Sequence, residues 1–297
     1  EIASCLVGSE MCIRDRYRAT DYYLMDGYND SNYPDVTPER DGKRLIVQPN
    51  TFNMYCHREP RFYLTVVWNG QWFKWENRNT NFLYGQPDGG PTHDAPQNGY
   101  LNRSRVSLDY IPRDNNHPYR PAIIFRMAEA YLSYAEALNE SSERMSHKQE
   151  ILDNLNKIRH RAGIAEYGTG TDENGFTRIK INFSDQKEVR RLIHKERRVE
   201  FVGEGVRYHD LRRWKTAHYG IGNLNEQGEN PDWGVNGPDY GMNYYGTEYT
   251  DQGDNAFFKR TKYMDRVYPR KFYWYPIPQS EIDKDPTLVQ GPFWLGE

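Results

Sequence analysis

The stretch from Glu188 to Trp214 constrains the fold most, because it joins helical periodicity to charge placed where a core should be. With Val189 as reference at about 100° per residue, Leu192, Ile193 and Val199 share one helical face, and Glu196 and Glu200 fall in the middle of it. Carboxylates spaced i and i+4 stand side by side, so the pair can serve a metal, the acid and base of a glycoside hydrolase, or architecture. A buried carboxylate is costly unless paired. The same segment carries Arg190, Arg191, Arg197, Arg198, Arg207, Arg212 and Arg213 as possible partners, so the leading expectation is a structural clamp to neighbouring elements. No HExxH pattern or nearby Cys/His pair supports a metal.

Composition excludes several classes. The 297 residues carry 39 basic and 42 acidic side chains, a formal charge of −3, with no basic block of the kind that tracks a phosphate backbone. Nucleic acid is therefore not an expected partner. No apolar run approaches the roughly 18 residues of a membrane-spanning helix. Aromatic residues make up 14%, with 24 Tyr and 7 Trp, in a chain of mean hydropathy −0.98. Rings in so polar a chain suit surfaces that contact sugars or proteins as well as core positions.

Several motifs, taken in chain order, carry a resemblance. Glu196-Arg197-Arg198-x-Glu200-Phe201 followed by Gly205-x-Arg207-x-x-Asp210-Leu211-Arg212-Arg213-Trp214 resembles the signature of the SusD/RagB family, the outer-membrane glycan-binding lipoproteins of Bacteroidota. Glu59-Pro60-Arg61-Phe62-Tyr63 is similar to that family's Asp-Pro-Arg strand start, with Glu for Asp. Arg126 to Ala137 resembles its first shared helix, Leu155-Asn156-x-Ile158-Arg159-x-Arg161-Ala162-Gly163 the next, and Tyr275-Pro276-Ile277-Pro278-Gln279-Ser280-Glu281-Ile282 its closing segment. The resemblance implies a mainly α fold, SusD-like, with tetratricopeptide-like helical hairpins packed against an irregular loop-rich side bearing short β-hairpins. It also implies Glu196, Arg198, Glu200, Arg207, Asp210, Arg212, Arg213 and Trp214 as a structural signature.

The first residues read differently. Cys5 to Arg16 resembles a translated adapter scar, so residues 1–16 are expected to be non-native and 17–297 to form the carboxyl-terminal part of a SusD/RagB-type receptor. Family members are longer and begin with a signal peptide and a lipidated Cys, so the lipid anchor is expected to be missing from this chain. Cys5 lacks the preceding apolar stretch that lipidation needs. Cys56, outside that run, cannot form an internal disulfide alone and reads as packing.

Local patterns give an element order. Residues 17–58 are irregular, and Phe62 to Trp68 reads as a strand, turning at Asn69-Gly70 into a hairpin that returns through Trp72 to Trp75. Alternation places Trp68 on the core side. Residues 77–116 read as polar loop. Pro121 suits a first helical turn, with Ile124, Met127, Ala128, Tyr131, Ala135 and Leu138 as its stripe. Ser146 with Gln149 offers a capping box for a helix whose stripe is Ile151, Leu152, Leu155, Ile158 and Ala162 and whose stop is Gly163; Asp185 with Glu188 offers a second box. Residues 215–258 lack periodicity but are rich in aromatics, and a loop of that length is functional or disordered.

Sugar recognition needs ring faces for the C–H side of a pyranose and planar polar groups for its hydroxyls. Trp72, Trp75, Tyr84, Trp233 and Tyr244, all in loop-rich stretches, are the candidate ligand-binding residues. The histidines lack a Ser or Cys partner that spacing can place beside them. No catalytic residue, cofactor or metal is expected. The resemblance implies a cell-surface, outer-membrane protein that captures oligosaccharides for a SusC-like TonB-dependent transporter. An all-α glycoside hydrolase using the paired carboxylates, and a tetratricopeptide-like scaffold that binds protein, remain the rivals.

Overall fold

The computed structural model describes residues 52–55, 58–73, 76, 78–104, 106, 114–115, 117, 119, 123–220 and 234–294. The readings made on residues 1–51, on Cys56 and on Pro121 lie outside them. The chain divides into two compact units, one of residues up to Glu204 plus Tyr240–Thr261, the other of Gly205–Asp239 plus Lys262–Glu297.

The first unit opens with helix α1, Pro60–Thr65, and strand β1, Val66–Trp68. This corrects the expected strand over Phe62 to Trp68. Pro60 sits in the first helical turn, where its fixed φ is already helical and its missing N–H costs nothing. Glu59 before it is extended, at φ −60° and ψ 152°, as a residue preceding proline should be. Leu64 consequently points outward, 63% exposed, while Val66, Val67 and Trp68 are buried. The Asn69-Gly70 turn forms, with Gly70 at φ +93°, but β1 does not pair with the strand that follows it. It pairs antiparallel with β4, Tyr100–Asn102, whereas β2, Trp72–Phe73, pairs with β3, Arg78–Asn79. Thr80 explains the switch: its hydroxyl donates to the Trp68 carbonyl at 2.6 Å and its N–H to that of Gln71 at 2.8 Å, closing the turn from the side.

Three helices follow. α2 is Met127–Glu140, α3 Lys148–Ala162 and α4 Gln186–Glu200, and α2 packs against both others. α3 buries Ile151, Leu152, Leu155, Ile158 and Ala162, the stripe its period predicts, and stops at Gly163 in the left-handed region, φ +68°. On α2 the buried apolar positions are Ala128, Leu132 and Ala135; Ala128 and Ala135 belong to the expected stripe and Tyr131 and Leu138 are half-buried, whereas Met127, the first helical residue, is 58% exposed and Ile124 lies before the helix. This helix meets two neighbours, and Leu132 is fully buried. The Ser146 capping box is absent: His147 occupies the N-cap without a side-chain capping bond, and the Ser146 hydroxyl turns back to the Glu143 carbonyl at 2.7 Å. Asp185 does cap α4, accepting from the N–H groups of Lys187 and Glu188.

The core of this unit gathers Tyr55, Val66, Trp68, Phe82, Ile164, Val202, Met242, Phe257 and Phe258. The second unit holds α5, Val206–Arg213, and most of a two-stranded sheet of β5, Gly237–Gly241, with β6, Thr261–Arg266. A short helix α6, Gln279–Ile282, lies near its end. Leu211, Ala217 and Tyr268 form its small core. Among the described residues no helix is long and apolar enough to cross a membrane.

Candidate ligand-binding surface

The two carboxylates on α4 are buried, with Glu196 at 3% and Glu200 at 7% exposure. Arg61 Nη1 donates to Glu196 Oε1 at 2.6 Å and to Glu200 Oε2 at 3.1 Å. Arg159 Nη1 reaches Glu196 Oε2 at 3.1 Å, and Arg126 and Arg161 both donate to Glu200 Oε1. Glu59 grips the other edge of Arg61 through two bonds of 2.8 and 2.9 Å, and Glu204 does the same for Arg126. Burial would push the Glu196 carboxyl up, but the guanidinium charges of Arg61 and Arg159 outweigh it and hold it below the usual carboxylate range. Every oxygen of both carboxylates is engaged, so neither is presented to a substrate as acid or base.

None of the seven arginines of the Glu188 to Trp214 segment supplies these bonds. The partners come from α1, from the residue before α2 and from the last turn of α3. Arg197 instead faces α2, bonding Ser133 Oγ at 3.0 Å near the buried Glu136. Arg198 and Arg207 are half-buried. In the second unit Asp210, 4% exposed, accepts from Arg213 Nε at 2.9 Å, while the Arg213 guanidinium stands 4.9 Å from the Trp214 ring centre. Arg212 donates to the Tyr208 hydroxyl at 2.6 Å and the Tyr273 carbonyl at 2.7 Å.

The aromatic candidates divide. Trp75 and Trp233 lie outside the described residues. Trp72 is half-buried in β2 opposite Asn79. Tyr84 and Tyr244, far apart in sequence, meet edge to face with ring centres 6.1 Å apart, and Tyr245 joins them at 5.5 Å from Tyr84 and 5.1 Å from Tyr244. Tyr245 was not singled out by the sequence, although it adjoins Tyr244 in an aromatic run. It is 70% exposed, the most open ring of the three.

The backbone beneath this triad is tightly determined. The Tyr84 N–H donates to the Gly246 carbonyl at 2.8 Å, and Gly246 lies so close to Phe257 that a Cβ would stand 2.4 Å from its Cα. Asn243 Oδ1 accepts from the Tyr245 N–H at 3.1 Å while its amide bonds the Ala256 carbonyl, fixing the turn that carries both rings. The loop carrying Tyr84 is braced by Asp88, which accepts two bonds from Arg78 at 2.6 and 2.7 Å and one from the Asn81 N–H at 2.8 Å. Tyr244 rests against Gly90, and its hydroxyl donates to the Thr92 carbonyl at 3.3 Å. Asn81 and Gln86, joined at 3.4 Å, add planar amides on the same exposed loop. Rings held in place, on loops that also carry amides, are equipment for stacking on a sugar and bonding its hydroxyls. No group of three His, Cys, Asp or Glu among the described residues is placed to hold a metal ion.

Comparison with known proteins places this geometry in context. A profile of the SusD family matches residues 9–294. The SusD-like proteins P25 and P38 of Formosa agariphila are each 32% identical to the chain, over 109 and 103 residues. Those stretches cover 37% and 35% of this chain but only 18% and 19% of the relatives. A solved SusD-like protein from Bacteroides fragilis superposes with a TM-score of 0.56 at 27% identity, covering 84% of this chain and 41% of that one. The solved structure of BT4246 gives a TM-score of 0.60 at 23% identity, covering 91% and 43%. The chain thus spans under half the length of the solved proteins it matches.

Proposed function

The chain belongs to the SusD family, and from that premise we propose that it is a non-enzymatic glycan-binding protein of the cell surface. It captures oligosaccharides and delivers them to a SusC-like TonB-dependent transporter in the outer membrane, to which the whole protein is tethered by a lipid anchor. α2, α3 and α4 supply a tetratricopeptide-like scaffold that holds the binding loops.

The observation that carries the reading is the convergence of Tyr84, Tyr244 and Tyr245 on one surface, with Tyr245 largely open to solvent. The burial and complete ion pairing of Glu196 and Glu200 speak against the hydrolase, since a general acid or base must reach its substrate. Affinity electrophoresis and calorimetry of the full-length protein against a glycan panel test the proposal. Binding weakened by Tyr245→Ala is the expected result, and failure to bind any glycan would overturn it. Release of reducing sugar would bring the hydrolase back.

A further inference from the structure

A second feature of the first unit shares no residue with the tyrosine triad. One face of α3, from Lys148 to His160, and the excursion 166–183 enclose an open cleft of about 870 Å³, within the range of ligand pockets, roughly 300–1,000 Å³. Twelve steps of helix at 1.5 Å rise make it about 18 Å long. Its outer wall is preformed. The Gly168 N–H donates to the Ile179 carbonyl and the Ile179 N–H to the Glu166 carbonyl, both at 2.8 Å, and Asn156 of α3 clasps both the N–H and the carbonyl of Tyr167 at 2.8 and 2.9 Å.

Three ammonium groups border the cleft without a carboxylate partner among the described residues: Lys148, Lys157 and Lys180. Two are held by rings. Lys148 Nζ stands 5.1 Å from the Phe183 ring centre and Lys157 Nζ 4.5 Å from that of Tyr131, attractions that fix a cation without neutralising it. Glu166, by contrast, is already neutralised by Arg178 at 2.8 Å. Asp153 and Glu173 also line the cleft; Asp153 accepts only from the Gln149 amide, at 2.8 Å. This mixture selects a ligand. A uniformly anionic chain such as an acidic peptide would meet Asp153 and Glu173 with like charge, and a neutral sugar would leave the lysines unanswered. An oligosaccharide with carboxylates on some carbons and hydroxyls on others satisfies both sets, because hydroxyls donate to carboxylates while sugar carboxylates pair with ammonium groups.

We propose that this cleft is a second binding site, for an acidic oligosaccharide of the uronic acid class. The inference rests on the glycan-capturing role proposed above and adds a site and a substrate class to it. Calorimetry of the full chain with a galacturonic acid tetrasaccharide, a neutral galactose tetrasaccharide and hexaglutamate tests it. The galacturonate should bind at low salt, weaken steeply toward about 1 M salt, and weaken by roughly tenfold in the Lys157→Gln/Lys180→Gln double variant, a loss of about 1.4 kcal/mol. Those lysines are exposed, so the variant should fold, which its circular dichroism checks. Tyr245→Ala should leave galacturonate binding unchanged. Equal binding of the neutral sugar or of hexaglutamate, or indifference of a folded lysine variant, overturns the cleft assignment. Neutral glycans bound through the tyrosines with no binding of galacturonate would overturn the cleft alone and leave the first proposal standing.

Discussion

Arg61 Nη1 lies 2.6 Å from Glu196 Oε1 across 135 residues of sequence, and the same nitrogen reaches Glu200. One guanidinium thereby ties the helix before β1 to both carboxylates of α4, while Glu59 holds its remaining edge. Both ends of each bond are buried, so removing one end leaves the other charged and dry. Arg61→Ala should therefore destabilise the first unit by about 3–5 kcal/mol, measured as a fall in the urea midpoint. Adding Glu196→Gln should recover part of the loss, because the two positions form one network and their effects cannot sum. A strictly additive double variant would show that the pair is not coupled.

Acid should act on the same cluster. The arginines hold the folded Glu196 below the ordinary carboxylate value against the upward pull of burial, whereas the unfolded chain restores it to about 4.3. With a folded value depressed below the unfolded one, the unfolded state binds the proton first. The contribution is full above the unfolded value, shrinks as pH falls through about 4.3, and is gone below the folded value. Urea midpoints measured from about pH 6 down to about pH 3 should drop more gently for Glu196→Gln than for the parent chain.

Sequence and structure part company where distance along the chain matters. α3 is legible because Ile151, Leu155, Ile158 and Ala162 face one neighbouring core and Gly163 supplies a left-handed stop, all within one local window. α2 is less so, since it meets α3 and α4 at once and a single stripe cannot describe two contact faces. The clamp on Glu196 and Glu200 follows from the cost of burying charge, but spacing cannot say which arginines answer it. The answering residues, Arg61, Arg126, Arg159 and Arg161, come from three separate segments. Helix α1 is hidden in the sequence because Phe62 to Trp68 is β-branched or aromatic at every position but Leu64; Pro60 as a helix start, and Arg61 drawn into the cluster, outweigh that preference. The meeting of Tyr84 with Tyr244 is likewise a tertiary fact, invisible to any local pattern.

For the tyrosine surface the sharpest expectation concerns Tyr245. Its ring is 70% exposed, so Tyr245→Ala should leave the urea midpoint nearly unchanged, as surface substitutions usually do within about 0.5 kcal/mol. A stacked ring contributes about 0.5–1.5 kcal/mol beyond its buried area, so affinity for a bound glycan should fall roughly two- to twelvefold. Calorimetry on the parent and variant separates the two effects.

Gly90 offers a test of whether the triad must be held rigidly. A Cβ built there would stand 2.6 Å from both Cζ and the hydroxyl of Tyr244, nearer than real side-chain contacts allow. The Tyr244 hydroxyl also donates to the Thr92 carbonyl at 3.3 Å, so the ring cannot yield without losing that bond. The clash falls on the far end of a half-buried side chain, so the ring rather than the backbone gives way, and the displaced ring would no longer meet Tyr84 and Tyr245 at their present angles. Gly90→Ala should therefore weaken glycan binding at least as much as Tyr244→Ala, although it removes no atom from the surface. A Gly90→Ala protein that binds as the parent does would mean that the rings act singly and that their arrangement contributes nothing.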